Sequence, residues 1–321
     1  MTFRSRIILF LKGMAMGAAD VVPGVSGGTI AFISGIYEEL LSSIKSVGPE
    51  TLVVLRKQGV KAAWEQVNGN FLATLLAGIL TSVLLLVRPI TWALQHEPVL
   101  IWSFFFGLIA ASVFLCGKLV RNWQVGPWIG LLLGTAFAVA IGLMSAGSGS
   151  TSLIFYFFAG AIAICAMILP GISGSFILLL LGAYLPVMTA LKTMDLPIIV
   201  VFAVGCLFGL MAFSRLLTWM FTNHHDLTVA SLTGFLLGSL TIIWPWKAVD
   251  SVRMVHEGKP DEHLEPFIQH NILPGNYATI TEMDTVLGIT TKEPQLVGAI
   301  VLALLGAAIL LVLERFAPKK G

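Results

Sequence analysis

Long apolar stretches separated by short polar connections run through almost the whole chain. Six of them, about 71–94, 98–117, 125–145, 197–221, 227–246 and 295–314, consist mainly of Leu, Ile, Val, Phe, Ala and Gly. Each approaches the roughly 20 residues that a helix needs to cross a hydrocarbon core. Two further apolar regions, 7–44 and 152–191, are each cut near the middle by a Pro-Gly cluster. A half of about 14 residues extends roughly 20 Å as a helix. That is too short to cross comfortably, and it suits a hairpin that dips in and returns on the same side with its broken backbone sheltered by protein. Segment 46–70 mixes Arg56, Lys57, Lys61 and Trp64 with scattered aliphatics, the pattern of an amphipathic surface helix. Segment 247–294 is the one long polar stretch, with Pro260, Pro266 and Pro274, and reads as an extramembrane loop or small cap.

The hydrophobic pattern repeats. Residues 19–45 align without a gap on 166–192, pairing Ala19 with Ala166, Pro23 with Pro170, Gly24 with Gly171, Ser26 with Ser173 and Gly27 with Gly174. Further along the same diagonal lie Gly35 and Gly182, Tyr37 and Tyr184, and Lys45 and Lys192, while Gly13 and Gly160 extend it upstream. The similarity resumes at a shorter offset, pairing Gly78 with Gly205, Arg88 with Arg215, Thr91 with Thr218, Trp92 with Trp219 and Gly107 with Gly234. The slip falls where the first copy carries the 46–70 insert. Two Pro-Gly-x-Ser-Gly turns, two arginines and two Thr-Trp pairs in one order are a duplication rather than chance matching of aliphatics. The predicted fold is an all-α polytopic membrane protein of two repeats, 1–147 and 148–321. Each is a re-entrant Pro-Gly hairpin followed by three transmembrane helices. Three crossings between the hairpins make them enter from opposite faces, an inverted repeat.

Composition agrees with a bilayer setting: 57% of residues are hydrophobic and 11% charged, against about a quarter charged in a soluble domain. The net charge of +2 says little, and no basic run suggests nucleic acid. With a cytoplasmic N-terminus, that side receives most of the Lys and Arg, including Arg4, Arg6, Lys12, Lys45, Arg56, Lys57, Lys61, Lys118, Arg121, Arg215 and Arg315. Such a bias places both termini in the cytoplasm. The N-terminal segment has no small-residue cleavage site and is read as retained. Cys116, Cys165 and Cys206 lie singly in apolar segments, a spacing that supports neither disulfides nor a metal cluster.

Each turn, Ser26-Gly27-Gly28-Thr29 after one Pro-Gly and Ser173-Gly174-Ser175 after the other, ends one helix and starts another. Hydroxyls cap free amides there, glycine admits a close ligand, and the partial positive charge of a helix start suits an anion such as phosphate. The alternative is that the turns merely pack tightly in the bundle. Arg88 and Arg215, toward opposite faces, are phosphate receptors or snorkelling anchors. Asp20, replaced by Met167 in the second copy, is a cap on turn amides or a coupling group for a proton or cation. Glu38 is a second candidate for coupling, although its place near the surface favours solvation. His224, His225 and Asp226 read as a tight helix connection. Gly24-Val25-Ser26-Gly27-Gly28 satisfies the Gly-x-Ser-x-Gly pattern of serine hydrolases, but it lies between helices and no histidine falls inside a span, so no catalytic residues are assigned.

The stretch Gly17-Ala18-Ala19-Asp20-Val21-Val22-Pro23-Gly24-Val25-Ser26-Gly27-Gly28-Thr29, continuing to Gly35-Ile36-Tyr37-Glu38, together with the second Pro-Gly-Ile-Ser-Gly-Ser turn, resembles the signature of the PopT family of bacterial polyprenyl-phosphate transporters. The resemblance covers nearly the whole chain except 247–294. It implies a protein of the bacterial cytoplasmic membrane that returns undecaprenyl phosphate, the lipid carrier of cell-wall precursors, from the outer to the inner leaflet. The expected partners are that lipid, the bilayer, a coupling proton or cation, and a second copy of the chain if the protein is a homodimer. Neither a metal nor a cofactor is expected. The competing reading is a transporter of a small soluble anion on the same architecture.

Overall fold

A computed structural model describes residues 3–21, 26–144, 149–255 and 263–316. The first apolar region forms α1 (Phe3–Val21), α2 (Gly27–Ile33) and α3 (Tyr37–Ser46), and the polar insert forms α4 (Pro49–Gln66). Then come α5 (Gly69–His96), α6 (Pro98–Gly117) and α7 (Val125–Leu143). The second region forms α8 (Leu153–Ile168), α9 (Gly174–Leu180) and α10 (Tyr184–Thr193), followed by α11 (Leu196–Asn223) and α12 (His225–Ser239). Strands β1 (Lys247–Val255) and β2 (His263–Asn271), helix α13 (Glu282–Val286) and helix α14 (Leu296–Phe316) complete the chain. Among the described residues, α5, α6, α7 and α11 are long and apolar enough to cross a membrane.

Three expectations change. Each hairpin is not a pair of equal halves: the returning arm is broken again, at Gly35 and Gly182, whose φ of +72° and +69° is the left-handed conformation that ends a helix without a Cβ clash. The second break bends α9 from α10 by 107°. The span expected at 227–246 stops at Ser239, where the hydroxyls of Ser239 and Thr241 bond back to the carbonyls of Leu236 and Gly238. The fold is not purely α, because the polar segment expected as a loop or small cap holds a two-stranded antiparallel sheet of β1 and β2, with β-branched Val249 and Val252 in β1. This unit is tied down by Asp284, which sits 2.5 Å from Lys292, both side chains nearly inaccessible, and accepts from the Thr281 amide and hydroxyl. Burial works against its charge, but Lys292 and Thr281 outweigh it and hold the carboxyl below the usual range.

Four helix pairs build the rest, each in close contact through glycine and each running parallel. Gly13 and Gly17 of α1 meet Leu75 and Ile79 of α5, and Phe157 and Ala161 of α8 meet Gly205 and Gly209 of α11. Glu97, Leu100 and Leu108 of α6 and its approach lie beside Gln295, Gly298 and Gly306 of α14, while Gly130, Gly134 and Ala138 of α7 lie beside Leu227, Ser231 and Gly238 of α12. The contacts duplicate. The carbonyl of Phe10 abuts Gly78 as that of Phe157 abuts Gly205, and the carbonyl of Ala303 abuts Gly107 as that of Leu131 abuts Gly234. In the last two contacts one helix comes from residues 1–147 and the other from 148–321. The main core lies between the halves, where Phe32, Tyr37, Phe71, Ile109, Ile168, Leu232 and Leu236 pack.

Candidate functional site

The helix α8 ends at Ile168, which leaves carbonyls without intrahelical donors in an apolar bundle. The first repeat supplies them. Ser26 donates its hydroxyl to the Met167 carbonyl at 2.8 Å, and Tyr37 donates to the Ile168 carbonyl at 3.1 Å. Beyond the break, the Gly171 amide donates to Thr29 Oγ1 at 2.9 Å. There is no room for a side chain between them, since a Cβ on Gly28 would run into the Ile168 carbonyl. Gly171, at φ +85°, presses on α12 at Phe235 and Ser239. The two breaks are therefore one interlocked region at the junction of the repeats.

The start of α2 is already occupied by a carboxylate of the chain itself. Asp20 Oδ1 accepts the Gly27 amide at 2.7 Å, and Ser26 Oγ accepts the Gly28 amide at 3.1 Å. At the other end of this 7-residue helix, Lys12 Nζ donates to the Ser34 carbonyl at 2.6 Å. An anion at the amino end and a cation at the carboxyl end both oppose the helix dipole. The second repeat has Met167 and Ala159 at the corresponding positions, so α9 has neither. Ser173 caps nothing; its hydroxyl pairs with that of Ser175 at 2.9 Å, on a partly exposed surface.

The structure thus brings Asp20, Ser26, Gly27, Gly28 and Thr29 together with the second break and sets Ser173, Gly174 and Ser175 at its open edge. Pro23, Gly24 and Val25 lie outside the described residues. Arg88 and Arg215 do not join the hydroxyls. Both are exposed near the ends of α5 and α11, with Arg215 Nη1 3.5 Å from the Met211 carbonyl and its side chain beside Gly48. Glu38 is exposed in the first turn of α3. Of the expected connection His224, His225 and Asp226, only His224 lies between helices; Asp226, in the first turn of α12, accepts the Arg121 and Asn122 amides and ties that turn to the α6–α7 connection. Lys12 and Tyr37 carry contacts that their sequence positions did not reveal. By sequence Lys12 is one of the cytoplasmic cations, whereas it lies midway along α1; the repeated Tyr37 and Tyr184 are the available signal for the second.

With this geometry in view, residues 16–260 match the VCA0040-like family, described as undecaprenyl phosphate translocase-like. The chain belongs to that family. It is 44% identical over 310 residues to a polyprenyl-phosphate transporter of Vibrio cholerae serotype O1, covering 97% of this chain and 96% of the relative. It is 34% identical over 257 residues to a polyprenyl-phosphate transporter of Staphylococcus aureus, covering 74% and 86%. No solved structure matches. The family match takes in both helix breaks, α5 with Arg88, α11 with Arg215 and the start of the polar segment, and leaves α14 outside.

Proposed function

We propose that this protein carries a polyprenyl phosphate across the cytoplasmic membrane, taking the lipid from the outer leaflet to the inner one for reuse as a cell-wall carrier. The observation that carries the reading is the meeting of two duplicated helix breaks at the junction of the repeats, in a chain whose close relatives are named for this lipid. A bare phosphate in hydrocarbon costs many kcal/mol, so polar groups of the protein must stand in for its water. The hydroxyls of Ser26 and Thr29 are engaged with the second Pro-Gly region, whereas those of Ser173 and Ser175, among the described residues, bond each other alone and reach the surface. In this reading the phosphate meets Ser173 and Ser175 and, when Asp20 releases Gly27, the first break. The isoprenoid tail needs no such shelter and stays in lipid.

Directions of the helices support an inverted repeat. Single-residue connections at Glu97 and His224 join α5 to α6 and α11 to α12. Asn68, just before α5, donates to Glu39 and Ser43 of α3, and Gly48, just after α3, lies beside Arg215 near the end of α11, so α5 begins on the side where α11 ends. The two hairpins then open to opposite faces, and rocking of one repeat against the other exposes the junction to each leaflet in turn. The distribution of Lys and Arg supports cytoplasmic termini.

The test is flux in vesicles holding the purified protein. Fluorescent polyprenyl phosphate should change leaflet saturably and faster than in protein-free vesicles, and excess unlabelled polyprenyl phosphate should compete where phosphatidylglycerol does not. Uptake of inorganic phosphate without lipid movement would instead establish the soluble-anion transporter.

A further inference from the structure

We infer that the last turns of α5 and α11 are a matched pair of docking strips for a lipid phosphate, one for each leaflet, on the outer surface and separate from the helix breaks. The inference rests on the phosphate-lipid reading above. One strip is Arg88, Thr91, Trp92 and Gln95; the other is Arg215, Thr218, Trp219 and Thr222. Spacings of three, four and seven put each set on one helix face. Both arginines and both tryptophans are exposed, and the α5 strip lines a shallow groove of about 290 Å³ with Val87.

The strips are built alike. On α5, Trp92 stacks on His96 with centroids 4.9 Å apart, and a His96 ring nitrogen lies 2.9 Å from the Trp92 carbonyl. On α11, Asn223, at the equivalent position, donates to the Trp219 carbonyl at 2.9 Å, and Trp219 meets His224 edge-on at 5.5 Å. Different residue types thus brace the same turn in both repeats. Among the described residues neither guanidinium is paired with a carboxylate. Indoles settle at headgroup depth, where lipid phosphates lie. An unpaired guanidinium beside one offers a planar fork that matches phosphate oxygens.

Opposite directions of α5 and α11 put the strips in opposite leaflets. The α8–α11 register gives the inner strip its relation to the break: with Phe157 at Gly205 and Ala161 at Gly209, Arg215 is level with the end of α8. A headgroup held there lies at the depth of the second break without entering it. The strips are thus capture stations that gather a scarce lipid before it reaches the junction.

Transport in vesicles of known protein orientation, loaded with fluorescent polyprenyl phosphate from one leaflet at a time, tests this. Arg88→Lys and Trp92→Leu should raise the half-saturating lipid density roughly tenfold for loading at the α5 end, which corresponds to loss of one charge-assisted contact. Maximal rate and loading from the other leaflet should hold. Arg215→Lys and Trp219→Leu should do the converse. Unchanged half-saturation in all four variants, or equal effects from both leaflets, would reduce the strips to membrane anchors. Failure of the wild-type protein to move the lipid would sink the transport reading itself, and size-exclusion profiles in detergent separate misfolded variants from either outcome.

Discussion

Thr29 and Asp20 show how single side chains hold a broken membrane helix. Thr29 is fully buried, and its oxygen is the acceptor for the Gly171 amide. Thr29→Val keeps the shape and orphans that donor, so it should destabilise the protein by about 1–3 kcal/mol, whereas Thr29→Ser should restore most of it. Thermal unfolding in detergent measures both, and a valine variant as stable as wild type would remove the tie between the repeats. Asp20 poses a different question, because asparagine can still accept the Gly27 amide while losing the charge. If proton exchange at Asp20 gates the first break, Asp20→Asn should flatten the pH dependence of transport and leave the unfolding temperature in place. A variant with the wild-type pH profile would leave Asp20 as a cap alone. Hydroxyl and carboxylate capping was legible from residue types at the first Pro-Gly cluster, whereas the expectation fails at the second, where Ser173 caps nothing. Which backbone groups the side chains serve was not legible, since Ser26 and Met167 are 141 residues apart.

The clearest asymmetry between elements is that between α2 and α9. Both are 7-residue helices, but α1 holds α2 by Asp20 at one end and Lys12 at the other. A helix this short cannot sustain itself by propensity. Lys12→Met removes a charge-assisted bond of about 1.5–3 kcal/mol, so amide exchange in α2 should quicken at least tenfold. Exchange in α9 should stay as it is; equal loosening of both helices, or of neither, would show that α2 is held by packing. Hydrophobic length alone located the long helices α5, α6, α7 and α11. It overran α12, because Leu240, Ile242 and Ile243 continue the apolar run while Ser239 and Thr241 turn the backbone. It also passed over the second break of each hairpin, where one glycine with positive φ does what a Pro-Gly cluster does at the first.

For the molecule as a whole, an inverted arrangement makes a prediction about sidedness. Lys45 and Lys192 are equivalent in the two repeats and both exposed. In a background without Cys116, Cys165 and Cys206, single cysteines at these two positions should react with an impermeant thiol reagent from opposite sides of the membrane. Labelling of both from one side would exclude opposed hairpins. The sequence by itself determined that this is a duplicated, largely helical membrane chain with two helix breaks, because apolar length, Pro-Gly interruption and constant offsets are all one-dimensional quantities. Its signature residues also determined the family. Only the tertiary structure decided that α6 pairs with α14 and α7 with α12, that Ser26, Thr29 and Tyr37 bond the second Pro-Gly region, and that Arg88 and Arg215 stand outside that junction. A chain records which groups need partners, but hydrogen bonds at about 3 Å are made wherever the packed helices bring donor and acceptor together.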